Sequence, residues 1–248
     1  MKNKLKILGI IFSLTALIHG SCEKSVSSEG LSRLTYFPEF TVTGESVEFV
    51  ELGEAWADPG VIATENGEEI PVVVSVAGDY FNSSGESVNT DLADKHIITY
   101  TATNSDGFDG TAERIVYVYK NGDLVSSIEG LYLSTVCRMG NCTPQYTDLE
   151  YVMIRATGAN TYEINCAVGT YYSVGRAYGS DYSAQGSVIT ANDIAANDFT
   201  ITGATFPIWG NTVEITDFTV DAANKEISFT GTANIGNGTF YVYLTQVN

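Results

Sequence analysis

The sequence predicts an all-β protein of two domains, an N-terminal β-sandwich followed by a C-terminal antiparallel β-barrel or barrel-like sandwich. Three observations lead there. Apolar and polar residues alternate in short runs from about position 36 to the C-terminus, and no stretch repeats convincingly at a helical period. With 24 Gly and 15 Tyr but only 5 Pro among 248 residues, the composition suits many short strands joined by turns. A hydrophobic fraction of 44% against 17% charged residues supports a packed core and argues against disorder.

The N-terminus reads as a targeting segment. Lys2, Lys4 and Lys6 precede an apolar run over 7–18, shorter than the roughly 20 residues that a helix needs to cross a ~30 Å hydrocarbon layer. Residues 1–21 are therefore expected to be a signal peptide. Ile18-His19-Gly20-Ser21-Cys22 resembles the lipobox of bacterial lipoproteins, with His19 where Leu is usual, a change that lipoproteins of Bacteroidetes often tolerate. The resemblance implies cleavage before Cys22, lipidation of Cys22 and attachment to the outer membrane, with the cell surface as the expected face. Residues 22–33, rich in Ser and charge, are expected to form a flexible tether.

Residues 34–120 form the first domain. Strands are expected over 47–50, 71–76, 96–103 and 111–119, with Gly-Asp and Asp-Gly steps between them, in an antiparallel sandwich. Three segments are similar to the bacterial surface Ig-like domain family: Glu51 to Val61 with its Trp56-Ala57-Asp58-Pro59-Gly60 core, Ile98-Thr99-Tyr100-Thr101-Ala102-Thr103, and Ala112-Glu113-Arg114-Ile115-Val116. This resemblance implies an Ig-like β-sandwich, a fold that serves as spacer or binding scaffold. Asp58-Pro59-Gly60 is a turn former on its own chemistry, because Pro restricts φ and Gly reaches φ > 0. Trp56 reads as core rather than ligand platform. His96, the only histidine left after signal removal, cannot alone build a His-based metal cluster or a Ser-His-Asp triad, and reads as structural. Asn104, Asp106 and Asp109 suggest a calcium loop, but Ile115 stands where its closing Glu would fall, so a turn is the better account.

Lys120-Asn121-Gly122-Asp123 is the expected boundary, and residues 121–248 the second domain. Strands are expected over 128–137, 149–156, 161–168, 171–178, 186–190, 199–205, 212–220, 226–233 and 239–247. Ile128-Glu129-Gly130-Leu131-Tyr132 with Arg138, followed by a Gly/Tyr-rich segment over 169–182, resembles a C-terminal domain of unknown function found behind Ig-like modules in small Bacteroidetes lipoproteins. Such lipoproteins often accompany glycan-uptake systems, so the resemblance implies a role in surface glycan handling.

Ten of the 15 tyrosines lie in this domain. Tyr171, Tyr172, Arg176, Tyr178, Asp181 and Tyr182 form one group, and Trp209 offers a second ring nearby in a turn-like stretch. Exposed rings stack on the C–H faces of sugars while Arg and Asp bind hydroxyls, so the group is a candidate carbohydrate site. The competing reading is that tyrosines straddle core and solvent in any antiparallel domain. Cys137 and Cys142 could close a hairpin disulfide, leaving Cys166 as a buried thiol. No metal site, cofactor or catalytic group is expected: the domain has no histidine to serve a cysteine nucleophile, and pairs such as Asp148 with Glu150 or Asp217 with Asp221 arise readily by chance.

Thirty acidic against 12 basic residues give −18, which excludes nucleic acid and leaves the lipid anchor as the only expected membrane contact. The excess sits mainly in residues 34–120, at −13, against −8 for 121–248. The less charged second domain is the better place for a neutral partner. The expected function is a non-catalytic surface lipoprotein whose Ig-like spacer presents a domain that binds extracellular glycan. The alternative is a structural or protein-interaction subunit, an adhesin or a partner of outer-membrane uptake proteins.

Overall fold

The computed structural model describes residues 34–83, 85–234, 236 and 238–247. The expected signal peptide over 1–21, the lipidation of Cys22 and the tether over 22–33 lie outside the described residues.

Seven strands build the first domain: β1 (Glu39–Val42), β2 (Val47–Glu51), β3 (Val61–Glu65), β4 (Glu68–Ile70), β5 (Val73–Gly78), β6 (Asp94–Thr103) and β7 (Asp109–Tyr119). One sheet has the order β1-β3-β4 and the other β2-β7-β6-β5. In β6 the alternation is complete, with His96, Ile98, Tyr100 and Ala102 buried between half-buried neighbours, because side chains of a strand point to opposite faces in turn. Val50, Ile98, Tyr100, Val116 and Val118 form the core, with Phe40, Trp56 and Val76 packed against it. The sandwich is not wholly antiparallel, because β2 runs parallel to β7, from Val47 opposite Ile115 to Glu51 opposite Tyr119. The chain crosses from one sheet to the other between β1 and β2, past Gly44 at φ 79°, and arrives at the edge in the same direction as β7.

Buried polar groups staple this domain. Arg114 on β7 is fully buried. Its guanidinium meets Glu48 at 2.7 Å and Asp58 at 3.3 Å, and donates to the Tyr100 hydroxyl at 3.1 Å and to the carbonyls of Thr43 and Glu45. The Tyr100 hydroxyl donates in turn to Asp58 at 2.7 Å, and the Trp56 indole to Glu48 at 2.6 Å. At the head of β6, buried Asp94 accepts the backbone N–H groups of Tyr80, Phe81 and Ser83. Asn104 caps the β6–β7 turn by accepting the N–H groups of Asp106 and Phe108.

His96 lies buried beside this network with neither ring nitrogen hydrogen-bonded among the described residues. Burial pushes its pKa below the ordinary histidine value of 6.5, and nearby Asp94 offsets this only in part. The unfolded chain then takes up a proton as pH falls below about 6.5 while the folded chain does not. Stability should fall with pH from there down to the depressed folded pKa, by at most about 1.4 kcal/mol per pH unit. Urea midpoints of wild type and His96→Phe, compared between neutral and mildly acidic pH, should show the steeper slope in wild type; parallel slopes would refute this.

The second domain contains β8 (Gly130–Arg138), β9 (Asn141–Cys142), β10 (Leu149–Gly158), β11 (Thr161–Ile164), β12 (Ser187–Asp193), β13 (Asp198–Ile201), β14 (Ala204–Thr205), β15 (Thr212–Asp221), β16 (Glu226–Ala233) and β17 (Thr239–Gln246). They form one curled antiparallel half-barrel in the order β13-β12-β11-β10-β8-β17-β16-β15-β14, with β9 folded back on β8. Gln185, just ahead of β12, exchanges two backbone hydrogen bonds of 2.8 and 2.9 Å with Thr205 on β14, which ties the two halves of the sheet together. Strand β17 lies between β8 and β16, so the sheet is continuous only once β17 is in place.

Two expected strands are corrected. The 199–205 run divides into β13 and β14, and 171–178 is not a strand but a series of turns. Thr170 and Ala177 have positive φ, as do Gly169 and Gly179, and local hydrogen bonds such as Val174 N–H to Thr170 O replace a ladder. A strand would send Tyr171 and Tyr172 to opposite faces, whereas both rings enter one core. The ribbon folds into the half-barrel. Gly169 is required there, since a Cβ would come within 2.6 Å of Ser134 Oγ and 2.7 Å of Val242.

The domains share a third cluster of buried residues, Tyr80 and Tyr117 from the first with Leu131, Tyr151 and Met153 from the second. Strand β8 is buried on both faces for this reason: Tyr132 and Val136 face the half-barrel core and Leu131 faces the first domain. The junction is held as well. Asn121 donates to Val247 O at 2.6 Å and accepts from Leu131 N–H at 3.0 Å, and Lys120 pairs with Glu129 at 2.8 Å.

Candidate ligand-binding site

The ribbon between β11 and β12 brings the aromatic group together. Tyr172 packs edge-on against Trp209 at 4.8 Å between ring centroids, Trp209 against Tyr182 at 5.2 Å, and Tyr182 against Tyr178 at 5.3 Å. Phe206 supports Trp209 from below at 5.1 Å. These residues come from three places: the ribbon, the 3-10 turn Ser180–Tyr182, and the loop between β14 and β15. Trp209 and Tyr178 are 36% and 46% exposed and Tyr182 is half-buried, so the three form a ledge. Tyr171 and Tyr172, at 4% and 5%, are core residues and not stacking platforms. Their part is to carry the ledge. Asp181 is exposed on the turn that delivers Tyr182.

Next to the ledge lies a groove of about 330 Å³ lined by Arg138, Met139, Asn141, Thr143, Tyr146 and Tyr171. Its wall is the β8–β9 hairpin, where Met139 at φ 50° and Gly140 at φ 80° make the two-residue turn with positive φ that suits strand twist. A disulfide joins Cys137 and Cys142 directly across this hairpin, while Cys166 is free and buried, its sulfur accepting the N–H of Thr170. The Arg138 guanidinium lies 5.6–5.8 Å from the rings of Tyr171, Tyr172 and Phe240, and Arg176 lies 5.7 Å from Tyr178. Burial pushes the Tyr171 phenol up, but its hydrogen bonds with Tyr146, Arg138 and Arg176 outweigh this and hold it below its usual value. Tyr146 is raised in turn by the bond it makes to Tyr171, and Tyr172 is raised by burial.

Arg138 and Tyr146 were absent from the predicted site. Arg138 arrives because β8 pairs with β17 and sets it opposite Phe240, a contact between distant segments that carries no local signal. Tyr146 sits on the 3-10 turn Pro144–Tyr146, where Gln145 donates to Gly175 O at 3.0 Å and the Tyr146 ring lies tilted by 32° against Tyr171, 4.2 Å between centroids. Other concavities are a pocket of about 230 Å³ in the sandwich beside Trp56 and Ile98, and a cleft of about 330 Å³ lined by Tyr80, Phe81, Glu163, Asn165 and Gln185. Among the described residues no three His, Cys, Asp or Glu side chains are grouped to hold a metal ion.

Fold and site define a two-domain all-β chain in which an Ig-like sandwich carries a curled half-barrel with an aromatic mouth. A family model for a bacterial surface protein Ig-like domain matches residues 40–118, and a C-terminal domain family model matches residues 121–246. The chain belongs to the family defined by that C-terminal domain, which spans half its length. Among solved structures it is similar to the lipoprotein BT2262 of Bacteroides thetaiotaomicron, with 24% identity and a TM-score of 0.63 over 85% of this chain and 100% of that one. That likeness is one of fold. No curated protein matches the chain, and neither family match indicates a catalytic family.

Proposed function

We propose that the protein is a non-catalytic lipoprotein, anchored through Cys22 in the outer membrane and facing outward, whose half-barrel binds extracellular glycan at the Trp209–Tyr178–Tyr182 ledge. The observation that carries this reading is the ledge itself. Three partly exposed rings from separate segments are held at fixed angles by a buried aromatic floor, and rigid rings lose little entropy when a sugar stacks on them. The lipobox-like segment, the bacterial surface Ig-like domain and the fold shared with a Bacteroides lipoprotein support the location.

Affinity electrophoresis of the mature protein against a polysaccharide panel tests the reading. At least one polymer should retard wild type, and Trp209→Ala and Tyr178→Ala should each weaken retention about tenfold or more, the loss typical of a binding hot spot. Both changes fall on partly exposed side chains and should leave the melting profile close to wild type. Tyr171→Ala and Tyr172→Ala are poor probes, since removing a buried ring costs roughly 3–5 kcal/mol of stability. If no polymer retards the protein while an uptake protein co-purifies with it, the glycan reading fails in favour of an accessory subunit. Release of reducing ends from a retained polymer would instead overturn the non-catalytic part.

A further inference from the structure

We infer that the glycan is a neutral chain of several sugars, which runs from the aromatic ledge into the cleft between the two domains and makes the Ig-like domain part of the site; this rests on the glycan reading above. The cleft, of about 330 Å³, is lined on one side by the loop over 80–82 of the first domain. On the other side stand residues of β11, of β14 and of the segment just ahead of β12. It adjoins the ledge through the chain itself. Thr205 and Gln185, which exchange backbone hydrogen bonds across the half-barrel, both line the cleft. Pro207, also in the lining, is two residues from Trp209, and Gln185 is three from Tyr182. Backbone separations are therefore at most about 7 and 11 Å. Phe206, between Thr205 and Pro207, is the ring beneath Trp209. One short oligosaccharide can cover both places.

The lining suits uncharged sugars. Asn82 and Thr205 are exposed and Gln185 half-buried, and their amides and hydroxyl can exchange hydrogen bonds with sugar hydroxyls. Glu163 is the one charged side chain among the described residues of the lining, and Arg155 pairs with it at 2.7 Å. A carboxylate in the wall repels acidic sugars. Buried Asn165 serves the fold instead, accepting the N–H of Met153 at 2.9 Å and donating to Tyr151 O at 3.4 Å. The walls are fixed before any sugar arrives. Asp94 holds the N–H groups of Tyr80 and Phe81, and Arg155, while paired with Glu163, also lies 3.9 Å over the Phe81 ring and so ties the loop to the half-barrel. The Ser180 hydroxyl adds a second tie, to Asp79 at 2.5 Å. A cleft held in shape spends little binding energy on ordering its walls.

The test runs the mature protein through soluble xylan, glucomannan, amylopectin and laminarin, with polygalacturonate as the acidic control. Calorimetry then follows with the disaccharide and the hexasaccharide of each neutral polymer that retards it. The hexasaccharide should bind about tenfold more tightly than the disaccharide or better, as expected when a second set of contacts is reached without a second association cost. Thr205→Val keeps the backbone pair with Gln185, and Asn82→Gly suits a backbone at φ 57°. Each variant, checked for folding by circular dichroism, should weaken hexasaccharide binding about twofold to tenfold, the worth of one hydrogen bond, and leave the disaccharide unchanged. Trp209→Ala should weaken both. Equal binding of the two lengths, cleft variants indistinguishable from wild type, or retention by polygalacturonate alone overturns the inference and leaves the glycan reading standing. Loss in the cleft variants with Trp209→Ala unaffected overturns the ledge and the path built on it. If no polymer retards the protein, both fall.

Discussion

Arg114→Met is expected to destabilise the first domain by about 3 kcal/mol. Removing one partner from a buried ion pair costs roughly 3–5 kcal/mol, because the charge left behind loses its compensation. Here the guanidinium is fully buried, but Glu48 and Asp58 are 22% and 28% exposed, so water can reach them and the lower end applies. The carbonyls of Thr43 and Glu45 lose their donor as well. Arg114→Lys should recover less than half of the loss, since an ammonium on a single stem cannot reach Glu48, Asp58 and both carbonyls together. Tyr100→Phe, which removes one hydroxyl between Arg114 and Asp58, should cost only about 1–2 kcal/mol. Urea unfolding of the three variants tests the ordering. An Arg114→Met variant within 1 kcal/mol of wild type would show that the network sets geometry without contributing stability.

This network explains why the family resemblance was readable. Asp58, Tyr100 and Arg114 belong to three separate motifs, and the structure joins them through one guanidinium that bolts β7 to the crossing between the sheets. Alternation was equally informative where one face of a strand is buried, as in β6, β15 and β16. It failed where burial follows another geometry. Residues 171–178 have the composition of a strand, yet turns place consecutive tyrosines in one core. The β3–β4 hairpin went unassigned although Asn66-Gly67, at φ 51° and 86°, is a strong two-residue turn signal; β4 is only three residues and carries two glutamates, so its periodicity is too short to register. The parallel pairing of β2 with β7 has no local signature at all.

The candidate group was legible only in part, since Arg138 and Tyr146 were not picked out. Tyr178, Tyr182 and Trp209 meet as a group, but whether a tyrosine shows its face or its edge depends on neighbours that arrive from β17 and from the loop after β14. Charge shows the same division. Total charge was readable from the sequence, whereas the placement of Arg138 depends on the pairing of β8 with β17.

Tyr151→Ala should have the other large effect, about 3–5 kcal/mol, and it should act on both domains at once. The Tyr151 ring lies edge-on to Tyr117 at 5.1 Å and to Phe49 at 5.8 Å, and its backbone N–H donates to the Tyr80 hydroxyl. Wild type is therefore expected to melt in a single calorimetric transition, and Tyr151→Ala to separate it into two, with the first domain leading. A double-mutant cycle with Tyr117→Ala should return a coupling of about 0.5–1.5 kcal/mol, the range for a well-oriented aromatic pair. Two independent transitions already present in wild type would refute the coupling. The consequence reaches the site, because the Ser180 hydroxyl, on the turn that delivers Tyr182, donates to Asp79 of the first domain at 2.5 Å. Asp79 is itself held by Lys95 at 2.8 Å. If the domains separate, that turn loses its anchor, and glycan retention should weaken in Tyr151→Ala although the ledge residues are untouched. Through Asp79 the Ig-like domain thus helps to position the turn that carries Tyr182.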